Sequence, residues 1–200
     1  MRSLRAIQQA VPATPRSDPY LAASFPLRDR ALRFMWGVVY ATLFRPSPRP
    51  VHAWRRWLLR CFGATIGEHC HIYPAAKIWA PWNLVCGNVV AIADDAVVYN
   101  PARIVLGAHC TISQGAYLCA ATHDYDDARF PLIALPIAIG AYAWICARAT
   151  VQPGIRVGEG AVLGLGAVAT RDLEPWSVNA GVPARRIKDR KRHELERENR

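Results

Sequence analysis

The sequence predicts an all-β fold, a parallel β-helix of hexapeptide repeats, with an N-terminal helical cap and a short C-terminal helix. Branched aliphatic residues recur every six positions between Ile66 and Leu163. The position directly after the aliphatic residue is often glycine, and the fourth position after the aliphatic residue is usually a small residue. An α-helix cannot keep a period of six on one face, and simple strand alternation does not require a glycine in every period. The 200 residues suffice for one such domain with an appendage.

The repeat positions define the expected core. Fifteen aliphatic residues fit the period, with three changes of frame. Because three six-residue units make one triangular coil, they correspond to about five coils. We expect these side chains to point inward and stack on their equivalents in adjacent coils, while small residues fill the remaining interior. The inward positions are Ile66, Ile72, Ile78, Leu84, Ile92, Val98, Ile104, Leu106, Ile112, Leu118, Ile139, Ile145, Val151, Val157 and Leu163.

Two regions precede the repeats. Residues 1–23 contain three prolines and no continuous apolar core, which is typical of a flexible leader and not of a secretory signal. Residues 24–65 form an amphipathic helical region. Hydrophobic spacing predicts one helix over Leu27–Arg45 and a second over Val51–Phe62, which Gly63 ends.

The repeats themselves occupy residues 66–182, with a loop over residues 124–138, and residues 183–200 form a basic tail or helix. The net charge of +10 sits at the two ends of the chain, with +9 up to Thr65, −3 in the repeats and +4 in the tail. This asymmetry permits contact with nucleic acid, anionic lipid or a phosphorylated ligand. No nucleic-acid recognition motif is found, so we expect no nucleic-acid partner.

The N-terminal helices allow two interpretations. They cap the first coil, which otherwise exposes apolar interior and unpaired strand edges. Alternatively, Trp36, Trp54, Trp57 and the nearby arginines lay an amphipathic surface on anionic lipid, as a peripheral contact at the inner face of the membrane. The longest apolar stretch, Ala31–Phe44, is too short to span a bilayer.

The cysteines indicate a reducing compartment. None of them has a C-x-x-C spacing, and several stand where small apolar residues would fit. We therefore expect free, packed thiols and a cytoplasmic location. The six residues are Cys61, Cys70, Cys86, Cys110, Cys119 and Cys146.

Several stretches carry a family resemblance: Val98–Asn100, Ile112–Leu118, Thr122–Tyr125, Phe130–Gly140 and Gly181–Arg185. They resemble the hexapeptide-repeat acyltransferases, and in particular the O-acetyltransferases of colanic-acid and other exopolysaccharide pathways and the maltose and galactoside acetyltransferases. The likeness runs from about Ser24 to Lys188. It implies a left-handed β-helix, a homotrimer, acetyl coenzyme A as acyl donor, a sugar or lipid-linked glycan as acceptor, and no metal.

His123 is the expected catalytic residue. The repeat breaks after Leu118, and loops that project from a regular solenoid commonly hold sites. Acetyl transfer to a sugar hydroxyl requires removal of a proton, for which a neutral imidazole is suited. The resemblance implies that His123 is the general base and that the acceptor oxygen attacks the thioester directly. Asp124 is expected to orient the imidazole or to stabilise its charged form. Asn100 is expected to position acceptor or acetyl groups or, alternatively, to serve as a turn residue before Pro101.

Other matched positions are expected to bind acetyl coenzyme A. The resemblance places Trp144, Ala147, Leu165 and Thr170 along the pantetheine groove, although coil packing also explains apolar residues there. Arg185 and Lys188 match the basic positions that meet coenzyme A phosphates, for which a guanidinium offers two parallel hydrogen bonds. Arg186 and the tail beyond it are alternatively a solvated face. Two departures from the family pattern, Cys146 and Leu165, are expected to narrow the groove.

Two other functions remain open from the sequence: a membrane-associated β-helix scaffold without catalysis, and a metal lyase like the γ-type carbonic anhydrases. The latter share the fold and bind zinc through three histidines. The repeats contain His69, His71, His109 and His123, but a close pair in the later coils is missing. The identity of the acceptor and the length of the acyl group depend on loop side chains, which the repeat pattern does not specify.

Overall fold

The computed structural model describes residues 25–192, and its architecture is a parallel β-solenoid of about six turns. Three parallel sheets form the sides of a triangular prism. We call them the first sheet (β1, β4, β7, β12, β15), the second sheet (β2, β5, β8, β13, β16, β18) and the third sheet (β3, β6, β9, β14, β17). The first corner joins the first and second sheets, the second corner joins the second and third, and the third corner leads back to the first sheet.

The strands are short, and each coil contributes one to each sheet. The elements are α1 Leu27–Val39, a π-helix Tyr40–Phe44, α2 His52–Cys61, a 3₁₀ helix Pro81–Asn83, and the strands β1 Thr65–Ile66, β2 His71–Ile72, β3 Lys77–Ile78, β4 Leu84–Cys86, β5 Ala91–Ile92, β6 Val97–Tyr99, β7 Ile104–Leu106, β8 Thr111–Ile112, β9 Tyr117–Cys119, β10 Ala121–His123, β11 Leu132–Ala134, β12 Ile137–Ile139, β13 Trp144–Ile145, β14 Thr150–Val151, β15 Arg156–Val157, β16 Val162–Leu163, β17 Val168–Ala169, β18 Ser177–Ala180 and β19 Arg185–Asp189.

The predicted core is confirmed. All fifteen aliphatic repeat positions are buried and lie in one apolar cluster with small residues such as Cys70, Ala96 and Ala116. A sixth, partial coil follows the five expected ones, because Leu173 pairs with Val157 and β18 pairs with β16. The sequence did not indicate this coil, since its residues leave the six-residue period.

The structure corrects the predicted C-terminal helix. Arg185–Asp189 is a strand, β19, which pairs antiparallel with β18 and extends the second sheet. An added strand satisfies the outer edge of β18, which a helix would leave unpaired. The helix prediction is therefore wrong for these residues. Residues 193–200 and the predicted leader, residues 1–23, lie outside the described residues.

The N-terminal helices cover the open end of the solenoid. Within the solenoid, backbone N–H groups of one coil donate to carbonyls of the next, as from His71 to Val90 at 2.8 Å. Carbonyls of the first coil that face away from the second coil consequently need donors from elsewhere. Side chains that can only donate supply them: Trp36 binds the Ile78 carbonyl at 2.7 Å, Arg55 that of Ile72 at 2.6 Å, Arg56 that of Cys70 at 3.0 Å, and Arg60 that of Ile66 at 2.6 Å.

Much of the N-terminal positive charge thus has a structural partner. The first predicted helix corresponds to α1 with its π-helical extension, and the second corresponds to α2. In both cases the bounds agree to within a few residues. Capping of the first coil is observed directly in these contacts. Among the described helices, none combines the length and apolarity needed to cross a bilayer.

Glycines stack at the first corner because adjacent coils approach closely there. A Cβ on Gly107 would lie 2.4 Å from the backbone nitrogen of Ala141, whereas one on Gly37 in α1 would meet nothing within 4 Å. We expect Gly107→Ala to lower the free energy of unfolding by about 2–3 kcal/mol, because a backbone atom cannot move aside cheaply. The matched variant Gly37→Ala should raise it by about 1 kcal/mol through helix propensity. Denaturant unfolding followed by tryptophan fluorescence measures both, and equal effects would contradict the close-approach explanation.

Candidate active site

A hairpin projects from the third corner where the repeat breaks. Strands β10 and β11 pair antiparallel, with His123 opposite Leu132, and the chain rejoins the first sheet at Ile137. The predicted loop over residues 124–138 is therefore partly strand, and its irregular part is the segment between His123 and Leu132. The two strands give His123 a defined backbone position instead of a place in a free loop.

His123 is oriented by Phe130. Its Nδ1 lies 2.9 Å from the Phe130 carbonyl oxygen, and its ring stacks on the Phe130 ring with centroids 4.3 Å apart and planes inclined by 8°. A carbonyl oxygen only accepts, so Nδ1 carries the proton and donates it. In the neutral ring Nε2 is then the unprotonated nitrogen with a free lone pair. The half-buried imidazole is thereby prepared to accept a proton at Nε2.

The loop between the hairpin strands holds Phe130 in place. Phe130 has φ +46°, a left-handed conformation that turns both its carbonyl and its ring toward His123. Its N–H donates to the Asp127 carbonyl at 2.8 Å. The Asp127 carboxylate accepts from the guanidinium and from the backbone N–H of Arg129, and these bonds lower the pKa of Asp127 to about 2. Asp127 therefore supports the Phe130 conformation through its carbonyl, while its carboxylate is held by Arg129.

The structure assigns Asp124 a different partner from the one expected. Its carboxylate accepts from the Asp126 N–H at 3.1 Å, and its own N–H donates to the Pro131 carbonyl at 3.0 Å. Asp124 therefore shapes the turn that brings Phe130 back to His123. The group bonded to the imidazole is the Phe130 carbonyl and not the Asp124 carboxylate.

Asn100 is buried at the third corner of the solenoid. Its side chain is fully buried, with Oδ1 accepting from the Ala80 N–H at 2.9 Å and Nδ2 donating to the Ala80 carbonyl at 2.8 Å. A role toward acceptor or oxyanion would break both bonds in a buried place, which is costly. In this structure the side chain joins two coils at the third corner, and a role of Asn100 in positioning a substrate stays a prediction.

Several predicted donor-binding residues lie together on the second sheet. Cross-strand pairing places Trp144 beside Val162, Val162 beside Val178, and Val178 beside Lys188, so the four form one outward-facing row. Three strand spacings span roughly 14 Å. Trp144 is 47% exposed, and its indole Nε1 donates to the Ser113 hydroxyl at 2.8 Å. We call this row, with the second corner beside it, the donor ridge.

A bulge between β18 and β19 brings Arg185 and Lys188 to one side. Directly opposed residues of an antiparallel pair share a face. Arg185 faces Ala180 and Lys188 faces Val178, while the register shift leaves Ile187 unpaired. The two cations therefore lie on the outward side of the ridge, although strict alternation would separate them. Arg186 lies on the other side and pairs with Asp189. This agrees with the alternative prediction that Arg186 belongs to a solvated face.

The remaining predicted residues divide between two corners. Ala147 and Leu165 are neighbours at the second corner, where the Gly166 N–H donates to the Ala147 carbonyl at 3.0 Å. Leu165 is 76% exposed, and Cys146 beside it is buried. Thr170 is exposed just after β17, at the third corner. One chain thus places His123 and Thr170 on one edge of the prism and the donor ridge on another.

Sequence reasoning missed the roles of Phe130 and Ser113. Both occur in the matched stretches, but nothing in the sequence shows that Phe130 adopts a left-handed conformation or that Ser113 receives the Trp144 indole. The proline at position 131 favours an extended residue before it and so gives no sign of the left-handed conformation of Phe130. The Ser113–Trp144 contact joins residues 31 positions apart and has no local signal.

The histidines of the repeats do not converge. His71 stacks on His52 with ring centroids 4.8 Å apart, and His109 stacks on Tyr142 at 4.8 Å. Across residues 25–192, no three His, Cys, Asp or Glu side chains are grouped in a way that would hold a metal ion. All six cysteines, which fall within this range, are free thiols, as predicted.

Comparison with known proteins places this geometry in a family. No protein-family model matches the sequence. The putative colanic acid biosynthesis acetyltransferase WcaF of Escherichia coli is 39% identical over 156 residues, which are 78% of this chain and 86% of that protein. The galactoside O-acetyltransferase of Escherichia coli is 28% identical over 148 residues, 70% of this chain and 71% of that protein.

Solved structures share the fold. A hexapeptide-repeat acetyltransferase of Vibrio cholerae in complex with acetyl coenzyme A has a TM-score of 0.76 at 23% identity, covering 85% of this chain and 93% of that one. A galactoside acetyltransferase in complex with coenzyme A has a TM-score of 0.71 at 21% identity, covering 84% and 86%. The left-handed β-helix fits these neighbours, as predicted. The chain therefore belongs to the hexapeptide-repeat acetyltransferases, in the group of the colanic acid biosynthesis acetyltransferases.

Proposed function

We propose that this acetyltransferase is an O-acetyltransferase that moves the acetyl group of acetyl coenzyme A to a hydroxyl of a sugar unit, free or lipid-linked, in exopolysaccharide synthesis. The supporting observation is the Nδ1 bond of His123 to the Phe130 carbonyl, which leaves Nε2 as a base. The name of the WcaF relative supports the polysaccharide acceptor. Free thiols at all six cysteines agree with a cytoplasmic setting.

The reaction follows from the base. The acceptor hydroxyl gives its proton to His123 Nε2 as its oxygen forms a bond to the thioester carbonyl carbon. The tetrahedral intermediate collapses with cleavage of the carbon–sulfur bond. The imidazolium then returns the proton to the sulfur, so that an acetyl ester and free coenzyme A leave. The Phe130 carbonyl stabilises the imidazolium in between, because Nδ1–H keeps its acceptor.

The donor ridge is suited to coenzyme A. Its apolar row ends at Lys188, with Arg185 on the same side. The pantetheine arm of coenzyme A would therefore contact the apolar row, and its phosphates would contact the two cations. Guanidinium and ammonium groups bind phosphates strongly. The ridge and His123 lie on different edges of one chain, so we propose a homotrimer in which the hairpin of one protomer faces the ridge of its neighbour.

An aromatic cavity offers a place for the acceptor. A partly open pocket of about 320 Å³ lies between α1 and the third sheet, lined by Trp36, Tyr40, Trp79 and Tyr99 among others. Tyr99 neighbours Cys119, which comes just before the His123 hairpin. The Tyr40 hydroxyl is buried and has no hydrogen-bond partner among residues 25–192, and burial raises the pKa of Tyr40, so it stays a donor. Flat apolar walls with a few polar groups suit a single sugar ring.

Complementation between inactive variants tests the shared site. His123→Ala removes the base, and Leu165→Glu places a charge on the donor ridge at an exposed position. Each variant alone should release little thiol from acetyl coenzyme A with a sugar acceptor. Trimers refolded from an equal mixture should recover roughly a quarter of the wild-type sites, since one interface in four pairs an intact hairpin with an intact ridge. No recovery, with active wild-type protein, would contradict the shared site while leaving acetyl transfer intact.

A further inference from the structure

Helix α1 turns an apolar side to the outside of the molecule. Leu27, Ala31, Phe34 and Val38 follow helical spacing on the side opposite Trp36, which is buried against the solenoid. Leu27 is 77% exposed and Phe34 is 73% exposed. A surface helix normally shows the reverse pattern, with its polar side outward. Within residues 25–192 nothing covers this stripe.

Helix α2 continues the same pattern. Its arginines are directed inward, because they donate to the carbonyls of the first coil. Trp54 and Trp57 are left on the outside, 39% and 53% exposed, with their rings stacked at 5.0 Å. The Trp54 indole donates to the Leu43 carbonyl at 3.0 Å, which joins the outer sides of the two helices. We call Leu27, Phe34, Val38, Leu43, Trp54 and Trp57 the outer apolar surface.

Positive charge borders this surface. Arg28 and Arg30 flank the α1 stripe, and Arg45 comes two residues after Leu43. All three are exposed, and none has an ion pair within the described part of the chain. Asp29 is the single acidic residue between positions 25 and 62, and it is paired with Arg33 at 3.1 Å. The border therefore has unneutralised cations beside exposed aromatic and aliphatic side chains.

We infer that the outer apolar surface docks on the face of an anionic lipid bilayer, without crossing it. Tryptophan prefers the bilayer interface, and arginine keeps its charge among the headgroups while its stem covers apolar surface. A second copy bound through the same surface would place Arg28, Arg30 and Arg45 against the same residues, whereas lipid phosphates neutralise them. Docking would bring the aromatic cavity beneath α1 close to the membrane, which suits a lipid-linked acceptor if the proposed function holds.

Vesicle flotation of the full chain tests the inference without donor or acceptor. The wild type should float with vesicles of phosphatidylethanolamine and phosphatidylglycerol, and not with pure phosphatidylcholine, and added salt should weaken binding. The double variant Phe34→Ser with Trp57→Ser should bind about tenfold less or weaker still. The triple variant Arg28→Gln, Arg30→Gln, Arg45→Gln should bind less and lose the salt dependence. Ile187→Ser, which removes a 64% exposed side chain in β19, is the matched control and should bind like the wild type.

Three outcomes would overturn the inference. The first is a wild type that does not float with the anionic vesicles. The second is a loss of vesicle binding in Ile187→Ser as large as that in the Phe34→Ser, Trp57→Ser variant, which would show that removing any exposed apolar side chain weakens binding. The third is a lower particle mass of the Phe34→Ser, Trp57→Ser variant by light scattering, which would show that the surface joins copies of the chain. Transfer of acetyl to a soluble sugar is measured in parallel, so loss of lipid binding and loss of the proposed activity are told apart.

Discussion

Replacing His123 by alanine should lower the rate of acetyl transfer by about 10²–10⁴-fold, the usual contribution of a general base. The reason is the geometry of the imidazole, whose Nδ1 is bonded to the Phe130 carbonyl while Nε2 makes no hydrogen bond with the described part of the chain. The measurement is thiol release from acetyl coenzyme A across a panel of sugars and glycan precursors. The variant should keep the wild-type stability, since His123 is only half-buried on a projecting hairpin.

Phe130→Gly should have an intermediate effect at the same site, because it removes the ring stacked on His123 but keeps the carbonyl. Glycine adopts φ +46° readily, so the carbonyl stays in place while the ring stacked at 4.3 Å is lost. We expect turnover to fall about tenfold, because the base is then less well oriented. Full activity in His123→Ala would refute the assignment of the base. A wild type inactive with every acceptor would favour the non-catalytic scaffold.

Replacing Arg55 by methionine should lower the free energy of unfolding by about 3–5 kcal/mol. Arg55 is fully buried and donates to the carbonyls of Ile72, Pro48 and Arg49 and to the Ser47 hydroxyl, at 2.5–2.9 Å. Methionine keeps most of the stem but removes all of the donors that Arg55 supplies to these acceptors. Burial lowers the pKa of Arg55, yet the guanidinium stays charged, so its donors are available at any working pH.

Arg45→Met is the matched control for Arg55. Arg45 is exposed and makes no side-chain hydrogen bond with the described residues, so its loss should change stability by less than about 0.5 kcal/mol. Arg55→Lys should be intermediate, because an ammonium cannot reach all four acceptors. Denaturant unfolding compares the three variants. Equal stability of the Arg55 and Arg45 variants would show that α2 does not hold the first coil.

The repeat pattern allowed the β-helix to be predicted in detail, and the hairpin less well. A buried side chain every six residues is a local property, so Ile66 or Val157 could be placed inside without knowing the neighbouring coil. The break after Leu118 located the projecting segment, and the family resemblance supplied His123. Neither could show that residues 121–123 and 132–134 form strands, because their pairing depends on the turn between them.

The sequence by itself determined the solenoid and its inward residues, because a six-residue period is encoded along the chain, and its family resemblance indicated the candidate base. Only the tertiary structure decided which atoms are free to act. It bonds Asn100 to Ala80, turns Asp124 toward Asp126, and replaces the C-terminal helix by a bulged strand that aligns Arg185 with Lys188. It also directs the arginines of α2 inward and its tryptophans outward. These results come from hydrogen bonds that depend on how turns and neighbouring coils are arranged, and the sequence pattern contains no such information.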